Sequence, residues 1–293
     1  MSRIAYVNGR YLPHGDATVH IEDRGYQFSD GVYEVFAVLG GRLIGVEGHL
    51  NRLAHSLGEL RIAWPMERRS FMIVAREVVR RNHVRNGLVY IQITRGVARR
   101  DHPFPADPES ALVITARKLP PLDKVALRKG VDVITIEDIR WKRRDIKSIS
   151  LLPNILGKQQ AREQGAFEAW QVDADGYVTE GTSTNAWIVT KDGTLVTRDA
   201  SQSILNGITR LAVVEAAAAA GMALEERPFT VDEAINAREA FVSSSTAHVK
   251  AVTRIDGKSI GNGHVGEVTT RLLDLYLDYI DRMGGPQKTD TWN

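Results

Sequence analysis

Cysteine is absent from the 293 residues, which excludes disulfides, thiolate metal sites and cysteine nucleophiles. An excess of one charge is lacking too. The 38 basic and 36 acidic side chains leave a formal net charge of +2, too little to recruit nucleic acid or an anionic membrane by field alone. No apolar run approaches the roughly 20 residues that a membrane-spanning helix needs, and the opening Met-Ser-Arg-Ile-Ala-Tyr has no apolar signal-peptide core. Gly-x-Gly-x-x-Gly and the Walker loop are missing, so dinucleotide and P-loop nucleotide sites have no sequence support. What is present is 43% hydrophobic content, enough for a buried core in one large domain or two ordinary ones. A soluble cytoplasmic protein, with no metal, nucleic acid or membrane partner, is the expectation.

The first part of the chain reads as strands broken by tight turns. Asn8-Gly9 splits Ile4 to Leu12, and Gly40-Gly41 splits Val35 to Val46; both dipeptides tolerate the positive φ of two-residue hairpins. Leu50, Leu53, Leu57 and Leu60 then recur at helical spacing, and Glu67 to Asn82 gives a second amphipathic helix. Strands are expected over Leu88 to Thr94 and Ala111 to Ala116. The two prolines of Arg117-Lys-Leu-Pro-Pro-Leu-Asp123 cannot join a ladder. They mark a linker at 119–126 between a small N-terminal domain, 1–118, and a larger one, 127–293.

The larger domain restarts with a strand over Val131 to Ile136 and a helix from about Asn154 to Gln164. A hairpin about Lys-Asp-Gly joins Ala186 to Thr190 with Thr194 to Thr197. Gly207-Ile-Thr-Arg opens an alanine-rich helix that Gly221 ends. Thr230-Val-Asp-Glu233 is a capping box. Ala240 to Val242 is a strand, and Val265 to Met283 is a last amphipathic helix, followed by a flexible tail from Gly284. Strands and helices do not alternate strictly, which argues for α+β and against a doubly wound parallel sheet.

Two residues carry the chemistry. Lys147, in the strand-like run Asp-Ile-Lys-Ser-Ile, has its stem directed inward, where burial disfavours the ammonium and frees the amine as a nucleophile or base for Schiff-base formation. Glu180 opens a polar turn, Glu-Gly-Thr-Ser-Thr-Asn, before an apolar strand; a carboxylate held there suits the pyridinium nitrogen of pyridoxal phosphate. A lone lysine beside a basic run is more often a solvated surface group, and a lone Glu-Gly more often a turn. The pair gains weight from its company. Gly207-Ile208-Thr209 at a helix start offers backbone N–H groups, a positive dipole end and a hydroxyl to an anion. Ser244-Ser245-Thr246 makes a second hydroxyl-rich turn, and Arg52, on the helix face away from Leu50 and Leu53, has a guanidinium suited to phosphate.

The segment Glu22-Asp-Arg-Gly-Tyr-Gln-Phe-Ser-Asp-Gly-Val-Tyr-Glu-Val35 resembles the N-terminal signature of the D-amino acid aminotransferases. These belong to the fold-type-IV enzymes that use pyridoxal 5'-phosphate, with branched-chain aminotransferases and aminodeoxychorismate lyases. The resemblance continues through His49-Leu-Asn-Arg52-Leu, Asp138-Ile-Arg-Trp, Asp145-Ile-Lys147-Ser, Thr179-Glu180-Gly and Gly207-Ile-Thr209-Arg, in the family's order, over roughly residues 3 to 280. It implies a two-domain fold with a small α/β domain and a pseudo-barrel cofactor domain. It also implies that Lys147 links to the cofactor and shuttles the proton, that Glu180 holds the pyridine nitrogen, and that Arg52, Ile208, Thr209 and the Ser244–Ser245 turn hold the phosphate.

Arg100, His102 and Phe104 fall on the family's Arg-x-His-x-Phe pattern. The resemblance implies that Arg100 and His102 reach over from a neighbouring subunit and, with Tyr33, bind the substrate α-carboxylate, so that the working unit is a homodimer. Charge-assisted donors suit that anion. Arg99 adds a second guanidinium, and Asp101 places an anion between the two trap residues; it either orients Arg100 through a salt bridge or repels a carboxylate. The implied reaction is ping-pong transfer of the amino group of a D-amino acid, such as D-alanine, to 2-oxoglutarate or pyruvate. A branched-chain L-amino acid transaminase and an (R)-amine transaminase are the alternatives, with aminodeoxychorismate lyase behind them.

Overall fold

The structure, a computed structural model, describes residues 3–284. The tail expected to be flexible lies, from residue 285 on, outside the described residues. The chain divides into two compact units, one built on the chain up to Pro121 together with Ile146–Ser150, the other on Leu122–Asp145 and Leu151–Asp281. Among the described residues no helix is long and apolar enough to cross a membrane.

The first unit contains β1 (Ile4–Val7), β2 (Arg10–Pro13), α1 (Arg24–Phe28), β3 (Gly31–Leu39), β4 (Arg42–Leu43), α2 (Val46–Glu59), α3 (Arg68–Arg81), β5 (Gly87–Thr94) and β6 (Ala111–Lys118). Its strands form one antiparallel sheet in the order β2-β1-β6-β5-β3-β4. Both expected hairpins form. The turn residues Asn8 and Gly9 have φ of 43° and 88°, and Gly40 and Gly41 have 59° and 85°, the paired positive values that match hairpin twist. Leu50, Leu53 and Leu57 of α2 and Phe71, Ala75 and Val78 of α3 bury their apolar stripes with Val32, Phe36, Val89 and Ile91 of the sheet.

The second unit contains α4 (Lys124–Leu127), β7 (Val131–Glu137), α5 (Leu152–Glu163), β8 (Glu168–Val172), β9 (Val178–Gly181), β10 (Asn185–Val189) and β11 (Leu195–Thr197). It continues with α6 (Ile208–Ala219), β12 (Leu224–Glu226), α7 (Val231–Ile235), β13 (Glu239–Ser244), β14 (His248–Ile255), β15 (Lys258–Ser259) and α8 (Glu267–Gly284). Its sheet runs β12-β11-β10-β13-β14-β7-β8-β9, with β15 on β14. The sheet is mixed: β7 pairs in parallel with both β14 and β8, while β10, β13 and β14 pair antiparallel. The edge strand β9 returns beside β10 without entering a ladder with it, so the sheet curls into the expected pseudo-barrel. The α+β reading therefore stands.

Local expectations differ from the structure at two places. The run about Lys147 is not a strand: Ser148 makes a single bridge with Val32, because only Ile146–Ser150 joins the first unit. Glu180 does not open a turn but lies in β9, and the polar turn begins after Gly181. Half of the expected capping box forms: Glu233 N–H donates to Thr230 Oγ1 at 3.1 Å, while the Glu233 carboxylate turns to Arg227 instead of back to Thr230.

Candidate active site

In the first unit the short segment holding Lys147 is pinned by its backbone. Tyr33 N–H donates to the Lys147 carbonyl at 3.0 Å and Ile149 N–H to the Gly31 carbonyl at 3.1 Å, while Lys147 N–H donates to Ser56 Oγ at 3.1 Å. Buried Ile146 anchors the segment in the core. The Lys147 side chain then crosses the ring of Tyr33, with Nζ 4.2 Å from the ring centroid. Among the described residues no carboxylate pairs with this amine, which leaves its nitrogen available for covalent chemistry. Tyr33 stacks on Tyr90 at 5.7 Å, and burial pushes the Tyr90 phenol up to about 12.

Next to Tyr33, Glu34 points to the opposite face of β3 and is fully buried. It accepts from Arg52 Nε at 2.7 Å and Arg52 Nη2 at 2.9 Å, and its Oε2 lies 2.7 Å from His49 Nδ1. Burial would raise the Glu34 carboxyl, but Arg52 and His49 outweigh it and hold it well below the usual carboxylate range. Burial pulls the His49 imidazole down, against the attraction of Glu34. Helical spacing places Arg52 away from the core, yet its side chain is only 10% exposed, because the buried carboxylate draws the guanidinium inward.

Arg100 and His102 are exposed side chains of the loop after β5. Arg100 Cζ lies 4.7 Å from the Phe28 ring centroid, and the His102 ring is 5.6 Å from the same ring. Asp101 turns its carboxylate to the loop backbone, where Oδ1 accepts from His102 N–H at 2.8 Å.

In the second unit Glu180 is buried and fully partnered. Oε1 accepts from Arg140 Nη1 at 2.6 Å, Oε2 from Asn185 Nδ2 at 3.0 Å, and Leu205 N–H reaches both oxygens at 3.1 and 3.2 Å. Arg140 is in turn gripped by Asp138, through Nε at 2.9 Å and Nη2 at 2.8 Å. Burial pushes the Glu180 carboxyl up, with Arg140 opposing. A carboxyl group with raised proton affinity is suited to a hydrogen bond with a protonated ring nitrogen. The hydroxyls of the following turn have a different task. Thr182 Oγ1, Ser183 Oγ and Thr184 Oγ1 all donate to the buried Glu168 carboxylate, which fixes the turn between Glu180 and Asn185.

Ile208 and Thr209 start α6 after Gly207, and no side chain caps that helix, so its first-turn N–H groups keep their donor capacity for an anion. A Cβ on Gly207 would lie 2.1 Å from Asn185 Oδ1. Only glycine lets the helix start pack against the asparagine that holds Glu180. Thr209 Oγ1 lies 3.4 Å from Tyr276 Oη. Ser244 Oγ accepts from Ala247 N–H at 3.0 Å and so closes the turn that carries the half-buried Ser245.

The structure thus groups Tyr33, Arg52, Lys147, Arg100 and His102 in the first unit and Glu180, Ile208, Thr209, Ser244 and Ser245 in the second. Sequence reasoning missed the roles of Glu34, His49, Asp138, Arg140 and Glu168. Glu34 had a signal: on a strand alternating Val32, Glu34, Phe36 it falls on the apolar face, where an acid needs a partner.

The amino-transferase class IV family model matches residues 31–255. The D-alanine aminotransferase of Staphylococcus haemolyticus is 38% identical over 276 residues, 94% of this chain and 97% of that protein. That of Bacillus licheniformis is 41% identical over 262 residues, 89% of this chain and 92% of that protein. Among solved structures, the T.th. branched-chain amino acid aminotransferase with pyridoxamine 5'-phosphate has a TM-score of 0.88 at 26% identity, covering 100% of this chain and 98% of that one.

Proposed function

From the premise that the chain belongs to the amino-transferase class IV family, we propose that it is a pyridoxal 5'-phosphate-dependent transaminase moving the amino group of a D-amino acid, such as D-alanine, to 2-oxoglutarate or pyruvate. The observation that carries the substrate is the similarity to D-alanine aminotransferases at 38% identity over 94% of the chain. Arg100 and His102, held on one loop, support it as donors for the α-carboxylate.

The residues fit the cofactor. An amine with no acid partner among the described residues suits an aldehyde, a buried and hydrogen-bonded carboxyl suits a pyridine nitrogen, and a helix start with no side-chain cap beside a threonine hydroxyl suits a phosphate. When bound, pyridoxal phosphate supplies an aldehyde for amine exchange and an electron-withdrawing ring that acidifies the substrate Cα. Lys147 Nζ holds the group covalently and, once displaced by substrate, moves the proton at Cα. Glu180 holds the ring-nitrogen proton and is oriented for this by Arg140, Asn185 and Leu205. Arg52, Ile208, Thr209 and the Ser244–Ser245 turn hold the phosphate. Tyr33, beneath the Lys147 stem, orders that side chain and lines the substrate side.

A homodimer with shared active sites completes the reading. Leu152, Ile155 and Leu156, at one-turn spacing on α5, are 66%, 58% and 56% exposed, an apolar stripe that supports burial against a second copy. Steady-state kinetics with D-alanine and 2-oxoglutarate test the function. Parallel double-reciprocal lines, with one pyruvate formed per 2-oxoglutarate consumed, are expected. D-alanine alone is expected to give at most one pyruvate per active site; repeated pyruvate release from 4-amino-4-deoxychorismate without an acceptor would assign the chain to elimination chemistry instead.

A further inference from the structure

Two buried arginines share one carboxylate beside the loop that carries Arg100 and His102. Arg24 is 4% exposed and Arg95 2%. Arg24 Nε donates to Asp30 Oδ2 at 2.8 Å, and Arg95 donates to the same oxygen from Nε at 2.7 Å and to Oδ1 from Nη2 at 2.9 Å. Arg24 and Arg95 hold Asp30 in its charged form against the burial that would raise it.

Their remaining donors go different ways. Arg95 reaches the carbonyls of Leu60 and Arg61, at 2.8 and 3.0 Å, and its Cζ lies 3.6 Å from the Phe104 ring centroid. Arg24 reaches the loop itself: Nη1 donates to the Asp101 carbonyl at 2.6 Å and Nη2 to the His102 carbonyl at 3.3 Å. Phe28, at the end of the same short helix, has its ring centroid 4.9 Å from Arg24 Cζ and 4.7 Å from Arg100 Cζ. One guanidinium therefore spans two successive loop carbonyls, and one ring lies against both Arg100 and His102.

Exposed side chains lose rotamer freedom when they close on a ligand. A loop whose backbone is already fixed loses less, so its affinity for the group it binds is higher. A substrate that does not use the loop gains nothing from this. We propose that Arg24, oriented by Asp30, is a positioning residue that sets how strongly the site prefers a carboxylate-bearing substrate over a simple amine, acting through the backbone of Asp101 and His102 and the Phe28 ring. The proposal rests on the transaminase reading above.

Arg24→Lys tests it, since lysine keeps a cation beside Asp30 and gives up the planar fork that bridges the two carbonyls. In the holoenzyme the KM for D-alanine rises roughly tenfold while kcat stays near wild type, the size expected when charge-assisted hydrogen bonds are lost. The slow half-reaction with (R)-1-phenylethylamine, followed over hours at high amine concentration, keeps its wild-type rate. Amides of the 99–104 loop exchange hydrogen faster, and propionate, a carboxylate with no amino group to transfer, binds less tightly by titration calorimetry. A fall in kcat with KM unchanged, equal losses on both substrates, or wild-type loop exchange overturns the positioning role. If Arg24→Lys does not fold, Phe28→Leu removes the ring and leaves the Arg24–Asp30 pair. The same KM shift is expected there, and an unmoved KM for D-alanine overturns the role. A wild type that converts neither substrate overturns the transaminase reading itself, and the loop exchange of the variants is then the separate measure of the Arg24 contact.

Discussion

Glu180 Oε1 lies 2.6 Å from Arg140 Nη1, and the two side chains are 6% and 9% exposed. Arg140 compensates the burial of both Glu180 and Asp138, so removing Arg140 leaves uncompensated charge in the interior, whereas neutralising Glu180 leaves Arg140 paired with Asp138. Arg140→Met is expected to destabilise the protein by about 3–5 kcal/mol, the usual size for breaking a buried pair. Glu180→Gln keeps the shape, retains the fold and lowers transamination by on the order of a hundredfold. Thermal unfolding and single-turnover rates check the two effects; an Arg140→Met protein as stable as wild type contradicts the coupling.

Glu34 plays the matching part in the first unit. Arg52 makes two hydrogen bonds to it and His49 a third, so Glu34→Gln breaks a buried charge pair, at about 3–5 kcal/mol. Displaced Arg52 also holds phosphate less well. The variant is therefore expected to lose affinity for pyridoxal phosphate and to bind pyridoxal, which lacks the phosphate, as wild type does. Equal losses for both would remove Arg52 from the phosphate site.

His248 gives the fold a pH dependence. Burial, aided by Lys250, pulls its imidazole from 6.5 down to about 4. Between those values the unfolded chain takes up a proton that the folded chain does not, so this contribution is present above 6.5 and is lost as pH falls through 6.5 towards 4. The loss is on the order of 3 kcal/mol across the interval. His248 has a φ of 58°, a conformation asparagine tolerates, and His248→Asn removes the slope. Denaturant unfolding on either side of the interval measures it; equal slopes in variant and wild type would discount the histidine.

Lys147 has no carboxylate partner among the described residues, so replacing it leaves no charge unpaired. Lys147→Ala is expected to fold, to bind the cofactor without the absorbance band of the lysine-linked form, and to lose turnover. Retention of both band and turnover would remove Lys147 from the chemistry.

Features set by a few adjacent residues were legible in the sequence. Asn8-Gly9 and Gly40-Gly41 announce hairpins because few other dipeptides hold two positive φ angles, and Thr230 with Glu233 announces a helix start through a local hydrogen bond. Lys147 was legible as a reactive residue, but its setting was not. Alternation suggested a strand, whereas Ile146–Ser150 pairs only in passing with the start of β3. Long-range partners escaped for the same reason. Helical spacing turned Arg52 outward until Glu34, from another element, drew it in, and Arg24 meets the Asp101 carbonyl across 77 residues of chain. No local pattern encodes either encounter.

The most direct measurement is the half-reaction of purified protein loaded with pyridoxal phosphate, following the lysine-linked absorbance band after adding D-alanine, L-leucine or (R)-1-phenylethylamine separately. Rapid loss of the band with D-alanine, and little with the other two, is the predicted result. Faster loss with L-leucine or the amine would contradict the D-amino acid assignment while leaving the cofactor and the family in place.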